Sequence, residues 1–171
     1  MPQAEVVVAM RYAEPSFKKV LLDLKNKNVD QLVVAPMYPQ EAESTTTSSL
    51  VQIKKVLFEI KYSPKIKILN PFYSDQSFIE AWDFVYKKTM KDQAVDHVLF
   101  SYHGLPERHL RKKSSTCLLT QDCCSKPEAC SKGCYKAQCL KTTDLIAKKM
   151  NLKPGQYTTS FQSRVGVTKL S

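Results

Sequence analysis

The residues best suited to chemistry are a histidine within Ser101-Tyr102-His103-Gly104-Leu105-Pro106 and six cysteines gathered in one stretch. The cysteines are Cys117, Cys123, Cys124, Cys130, Cys134 and Cys139. A neutral imidazole near pH 7 accepts a proton or ligates a metal ion, depending on its surroundings. His103 could also do no more than cap a strand through a backbone hydrogen bond. His97 and His109 lack a comparable setting and read as structural or exposed. A disulfide framework spreads its bridges and accompanies a secretory signal. Thiols crowded into one stretch of a reduced chain suit a metal ion or an iron–sulfur cluster instead. Arg11, in Met10-Arg11-Tyr12, carries a planar fork that matches a carboxylate, or forms an ordinary salt bridge.

These residues need elements to position them. Val6-Val7-Val8-Ala9-Met10 is a continuous apolar run that predicts a strand covered on both faces. Ser16 stands where a helix cap belongs, before inward-facing Val20, Leu21 and Leu24. Leu32-Val33-Val34-Ala35 predicts a second buried strand. The polar run Ser44–Ser49 reads as a helix N-terminus, with Leu50, Ile53, Leu57 and Ile60 at helical spacing and Pro64 beyond them. Lys65–Leu69 restores a strand pattern. Ser77–Met90 is helical, with Phe78, Ala81, Trp82 and Val85 on one face. His97–Tyr102 is a strand that runs into His103. Cys134–Met150 is a helix with Leu140, Leu145, Ile146 and Met150 on its apolar side, and Tyr157–Gln162 is a last strand.

Repeated β–α alternation predicts an α/β fold, a mainly parallel sheet flanked by helices. In such sheets functional groups gather where strands end. Three predicted strand ends carry unusual polar residues: Met10-Arg11-Tyr12, Ser101-Tyr102-His103 and Phe161-Gln162-Ser163-Arg164.

Composition narrows the classes. The 171 residues are 43% hydrophobic, as in globular proteins rather than disordered ones. No apolar run approaches the roughly 20 residues that span a bilayer. The opening residues lack a basic n-region and a signal-length apolar core, which predicts a cytoplasmic protein. The net charge of +10 comes from lysine pairs spread along helices. It predicts a solvated surface or a loose peripheral membrane attraction rather than nucleic-acid binding.

At these motifs the sequence resembles a ferrochelatase, the enzyme that inserts Fe2+ into a porphyrin in haem synthesis. Ser101–Pro106 is the most recognisable signature. Met10-Arg11-Tyr12 with Pro15 resembles the family's arginine–tyrosine pair on the porphyrin side of its cleft. Pro36-Met37-Tyr38-Pro39-Gln40 before Ser44-Thr45-Thr46 looks like its strand–loop–helix element, with Thr47 where glycine is usual. Tyr135, Gln138-Cys139 and Thr142 are similar to a later helix, and Ser160–Gly166 to the strand after it. The resemblance spans almost the whole chain. Relatives begin with an extra strand and a porphyrin-gripping lip before Val6. They continue past Gly166 to a helix bearing a glutamate. The sequence therefore reads as a middle portion of the family's chain.

The resemblance implies a chelatase-like fold of two Rossmann-like or flavodoxin-like lobes, both incomplete. Residues 1–94 would be the remainder of the first lobe, and 95–171 the start of the second with the cysteine insert 117–139. It implies His103 as proton acceptor and contact for substrate Fe2+, on a turn with room for a flat ligand. Arg11, Tyr12, Tyr102, Gln162 and Ser163 would face the porphyrin, whether protoporphyrin or coproporphyrin. No partner protein is implied. Metallation releases two pyrrole protons, and the glutamate opposite the histidine falls outside this sequence. The chain alone is therefore expected to have little or no chelatase activity.

Some bacterial relatives hold a [2Fe–2S] cluster in a cysteine insert just after the histidine motif, and this insert looks like theirs. The implied ligands are Cys117, Cys123, Cys124 and Cys134. Cys139 is an alternate because its Gln-Cys element occurs in relatives without a cluster, and Cys130 lies in a variable-looking part of the loop. Tetrahedral zinc is the competing occupant. The alternative to an enzyme is an iron–sulfur or zinc-binding module derived from this fold; a chelatase for another metal, such as cobalt, is a third reading.

Overall fold

The computed structural model describes residues 4–91, 93–113, 123–124 and 133–162. Among these, five helices and four strands follow in the order α1 (Phe17–Asn26), β1 (Gln31–Val34), α2 (Ser48–Glu59), β2 (Lys65–Ile68), α3 (Gln76–Met90), β3 (Val98–His103), α4 (Glu107–Lys113), α5 (Tyr135–Lys149) and β4 (Tyr157–Gln162). A π-helical turn, Glu43–Thr47, leads into α2. Among the described residues no helix is long and apolar enough to cross a membrane. The chain forms two compact units. One holds the residues up to Tyr38 with Glu43–Asn70; the other holds Pro39–Ala42 with the described residues from Pro71 onward.

The first unit is a β–α–β element preceded by α1. Strands β1 and β2 pair in parallel from Gln31↔Lys65 to Val34↔Ile68. A parallel pair requires a crossover, and α2 supplies it. Leu21 and Leu24 of α1, Leu32 of β1, and Val56 and Leu57 of α2 form the core, flanked by Val20, Ile53, Ile60 and Tyr62. Each of these buried aliphatic side chains contributes about 1.5–3 kcal/mol. The Tyr62 hydroxyl donates to the Val29 carbonyl at 2.5 Å, closing the end of this core.

Four expectations change in this unit. Val6–Met10 forms no strand among the described residues; its one ladder contact is an isolated bridge, Met10↔Ser16, and Val6 is 90% exposed. Valine-rich backbone favours extension, but only a hydrogen-bonded neighbour makes a strand of it. The second strand is buried only at Leu32, and Val33 points outward at 65% exposure. Ser16 occupies the N-cap position of α1 in extended conformation, yet its side chain makes no capping bond. The polar run before α2 is itself helical, and Ser48 Oγ donates to the Ser44 and Thr45 carbonyls at 2.9 and 3.2 Å.

The second unit is another β–α–β element. Strands β3 and β4 pair in parallel from Val98↔Tyr157 to His103↔Gln162. Helix α5 crosses between them, and α3 packs on α5. The buried side of α3 carries Ile79 and Asp83, while Trp82 and Val85 are half-exposed. The expected Phe78/Trp82 face is an edge-to-face aromatic pair with centroids 6.5 Å apart, lying at the rim rather than in the core. The start of α3 is well capped: Asp75 accepts from the Ser77 and Phe78 amides at 2.9 and 3.3 Å. Asp75→Ala should therefore lower stability by about 1 kcal/mol in urea unfolding, and Asp75→Asn should recover most of it.

Helix α5 departs most from its hydropathy. Its buried residues are Ala137, Gln138, Cys139, Thr142, Thr143, Ile146 and Ala147. Of the predicted apolar side, only Ile146 is among them. Polar side chains can occupy this face because each finds a partner. Gln138 Oε1 accepts from the Glu41 amide at 2.6 Å, and Thr142 Oγ1 accepts from Gln40 Nε2 at 3.0 Å. Both bonds fasten Pro39–Ala42 to α5.

Candidate functional site

Strand β3 alternates in burial, with Val98, Phe100 and Tyr102 turned toward cover and Leu99, Ser101 and His103 exposed. The imidazole of His103 therefore stands at the C-terminal end of β3 on the open face. Its register partner is Gln162, the last described residue of β4, so two of the three predicted polar strand ends lie side by side. The Gly104 amide donates to the Gln162 carbonyl at 2.6 Å, extending the ladder one step past the histidine. Ser163, with Arg164, lies outside the described residues.

Tyr102 faces the other way, toward α5. Its hydroxyl lies 2.9 Å from Thr143 Oγ1, which also accepts from Thr159 Oγ1 of β4 at 3.3 Å. Its ring tilts against Phe161 at 5.9 Å. Burial pushes the Tyr102 phenol up to about 12, opposed by the Thr143 hydrogen bond. Tyr102 thus braces the strand beneath the histidine. His97 reads as structural, with Nε2 2.8 Å from Thr158 Oγ1.

In the first unit, Arg11 follows the Met10↔Ser16 bridge, in a turn closed by the Met10 amide donating to the Pro15 carbonyl at 2.7 Å. Its guanidinium lies 4.7 Å from the Tyr12 ring centroid, a cation–π contact. The Arg11 Nε is buried with no hydrogen-bond partner among the described residues, whereas Tyr12 is exposed.

The thiols divide into two settings. Cys123, Cys134, Leu110 and Ala137 form one buried cluster, with Cys124 and Tyr135 packed against it. The Cys123 and Cys124 sulfurs are 3.8 Å apart. A hydrogen bond to Cys134, followed by burial, raises the Cys124 thiol above its ordinary value. Cys139 is separate: it is fully buried on α5, and burial pushes it up to about 12 against a hydrogen bond from Tyr135. Cys117 and Cys130 lie outside the described residues. Among the described residues, no group of three or more His, Cys, Asp or Glu is arranged to hold a metal ion. Cys123 and Cys134 share a buried cluster with Cys124 packed against it, and thiols are the donors that a thiophilic metal takes.

The family profile for ferrochelatase matches residues 2–169. The chain belongs to the ferrochelatase family. Ferrochelatase from Bdellovibrio bacteriovorus is 42% identical over 164 residues, covering 96% of this chain and 49% of the relative. Ferrochelatases from Ectopseudomonas mendocina and Pseudomonas fluorescens Pf-5 are 42% and 40% identical, covering 96% and 98% of this chain. The chain spans about half the length of these curated relatives. Ferrochelatases are enzymes, and the short parallel sheets with crossover helices agree with the family's α/β fold.

Sequence reasoning missed the role of Thr143, and gave Tyr135 none beyond its place in a matching helix. With Cys139 they stand at intervals of four on α5, so their side chains stack along one helix face. That spacing of hydrogen-bonding residues is a readable signal, hidden where a helix face is traced by its apolar residues alone.

Proposed function

We propose that this chain supplies the histidine side of a ferrochelatase site that places Fe2+ in a porphyrin during haem synthesis. The observation that carries this reading is His103, exposed at the C-terminal end of β3 and paired in register with Gln162, in a chain of this family. Metallation exchanges two pyrrole protons for one Fe2+, so the site needs a group that accepts protons close to the ring. An exposed imidazole backed by a braced strand has that capacity. Arg11 offers a guanidinium fork for a propionate, with Tyr12 as a flat surface beside it. Tyr102, turned toward α5, acts as support for His103 rather than as a porphyrin contact. We place the protein in the cytoplasm, with its lysine-rich helices able to attract an anionic membrane loosely.

A hybrid tests this reading: residues 4–162 replace the matching half of the Bdellovibrio bacteriovorus ferrochelatase. The hybrid should insert Fe2+ or Zn2+ into protoporphyrin or coproporphyrin, followed by loss of porphyrin fluorescence. A folded hybrid that binds porphyrin but inserts no metal would sink the proposal.

We also propose that Cys117, Cys123, Cys124 and Cys134 hold a [2Fe–2S] cluster. The convergence of Cys123, Cys124 and Cys134, and the withdrawal of Cys139 into the core, support that set. Such a cluster would join the cysteine loop to α5 and would not take part in a redox-neutral insertion. After anaerobic reconstitution with iron and sulfide, the protein should be red-brown. Cys123→Ser should abolish the visible bands, whereas Cys139→Ser should keep them. A colourless protein that retains zinc would favour the tetrahedral alternative.

A further inference from the structure

Three hydroxyls, one from each element of the second β–α–β unit, meet beneath the end of β3. Residues in register on paired strands turn their side chains to the same face. Phe100 and Tyr102 of β3 are in register with Thr159 and Phe161 of β4, so these side chains share one face. Thr143 meets that face from α5, where it is buried. Its Oγ1 lies 2.9 Å from the Tyr102 hydroxyl and accepts from Thr159 Oγ1 at 3.3 Å. A single threonine hydroxyl therefore ties both strands to the helix that crosses between them.

The grip falls one residue before the histidine. Tyr102 and His103 share a planar peptide, and strand alternation sends their side chains to opposite faces. The imidazole is exposed, so its place is set by the backbone behind it. The Gly104 amide, bonded to the Gln162 carbonyl at 2.6 Å, holds that backbone at its edge. An edge bond leaves the strand end free to roll about its own axis. The Tyr102 ring against Phe161, with centroids 5.9 Å apart, is an apolar contact and fixes no direction. A hydroxyl pair is directional, so the bond to Thr143 is the contact that resists the roll. Burial keeps the Tyr102 phenol protonated far above neutral pH, so this tie persists wherever an imidazole could take a proton.

We propose that Thr143 is a positioning residue for His103: by holding Tyr102 it sets the direction in which the imidazole leaves β3. This rests on the reading of His103 as the proton acceptor in metallation. A base works only within hydrogen-bond reach of the proton it takes, so a small swing of the strand end costs rate and leaves porphyrin affinity alone. Thr143 acts through Tyr102 and touches no reacting atom.

Amide hydrogen exchange of the 171-residue protein, followed by NMR, tests the link itself. In Thr143→Val the Gly104 amide should exchange roughly fivefold faster, about what one lost hydrogen bond gives. The Val98 amide, bonded to the Gln156 carbonyl at 2.9 Å at the start of β3, should not change. The consequence is read in the Bdellovibrio hybrid, with Zn2+ and protoporphyrin. There Thr143→Val should lower kcat about tenfold and leave KM for the porphyrin within about twofold. Thr143→Ser keeps the hydroxyl and should return kcat to within about twofold of the parent. Tyr102→Phe should cost the same as Thr143→Val, and the double variant no more than either, because both cut one link. Thr142→Val is the control for lost stability: its hydroxyl meets Gln40, Tyr73 and Gln138 instead, and kcat should stay within about twofold. An unchanged Gly104 amide overturns the proposal, as does equal acceleration at Gly104 and Val98. Additive losses in the double variant, or an equal loss in Thr142→Val, overturn it too. So does an unchanged kcat in Thr143→Val when the parent hybrid is active. A parent hybrid that binds porphyrin and inserts no metal overturns the histidine reading and the positioning role with it, which keeps the two failures apart.

Discussion

Replacing His103 with glutamine in the Bdellovibrio hybrid should lower the rate of metal insertion by at least about 100-fold, with porphyrin affinity changed by less than about threefold. Glutamine preserves a hydrogen-bonding side chain of similar reach on the open face of β3. It cannot accept a proton near neutral pH, and positioned general bases are worth typically 10²–10⁴ in rate. The side chain is exposed, and the bonds that hold this part of the strand come from the Gly104 amide and Tyr102. Folding should therefore be affected by no more than about 0.5 kcal/mol, the usual range for surface substitutions. The split between rate and affinity is decisive. A variant that binds porphyrin as the wild type does and still metallates within about tenfold of it would show that His103 is not the proton acceptor. Weakened binding with an unchanged rate would make it a porphyrin contact only.

Much of the frame behind that histidine was legible because periodicity and punctuation agree there. Leu32–Ala35, Lys65–Leu69, His97–Tyr102 and Tyr157–Gln162 each hold a strand close to the predicted bounds. The register His103↔Gln162 follows from two strands of matched length ending together. Two features were illegible for physical reasons. Val6–Met10 has the composition of a buried strand, but composition says nothing about whether a neighbour is there to pair with it. The buried face of α5 is polar, and a hydropathy count ranks Gln138, Thr142 and Thr143 as solvent-facing. Their burial depends on partners from residues 40–41, 73, 102 and 159, which no local window contains. The same limit applies to Arg11, whose stacking on Tyr12 depends on the turn that Met10 and Pro15 close.

Thr142→Val should be the most costly conservative change in the second unit, lowering stability by about 2–3 kcal/mol in urea unfolding. Thr142 is only 2% exposed, and its hydroxyl is the meeting point of three segments. It accepts from Gln40 Nε2 at 3.0 Å and lies within donating distance of the Tyr73 carbonyl at 2.8 Å and the Gln138 carbonyl at 3.0 Å. One hydroxyl proton serves one carbonyl at a time. The Gln138 carbonyl is the residue one turn back on the same helix and loses little when the hydroxyl goes. The Tyr73 carbonyl and the Gln40 amide lose a partner in a part-buried setting, and each group left unsatisfied costs about 1–3 kcal/mol. Valine has nearly the same shape as threonine, so no cavity contributes and the loss measures the hydroxyl alone. Thr142→Ser keeps the hydroxyl and should recover most of the stability, less a small loss for the deleted methyl. The change should also be local: the Glu41 amide, held by Gln138 Oε1 at 2.6 Å, should exchange faster in Thr142→Val because Gln40 no longer anchors its neighbour. A valine variant within about 0.5 kcal/mol of the wild type would mean that water replaces the hydroxyl at both partners, and that the Gln138–Glu41 bond holds residues 39–42 to α5 without Thr142.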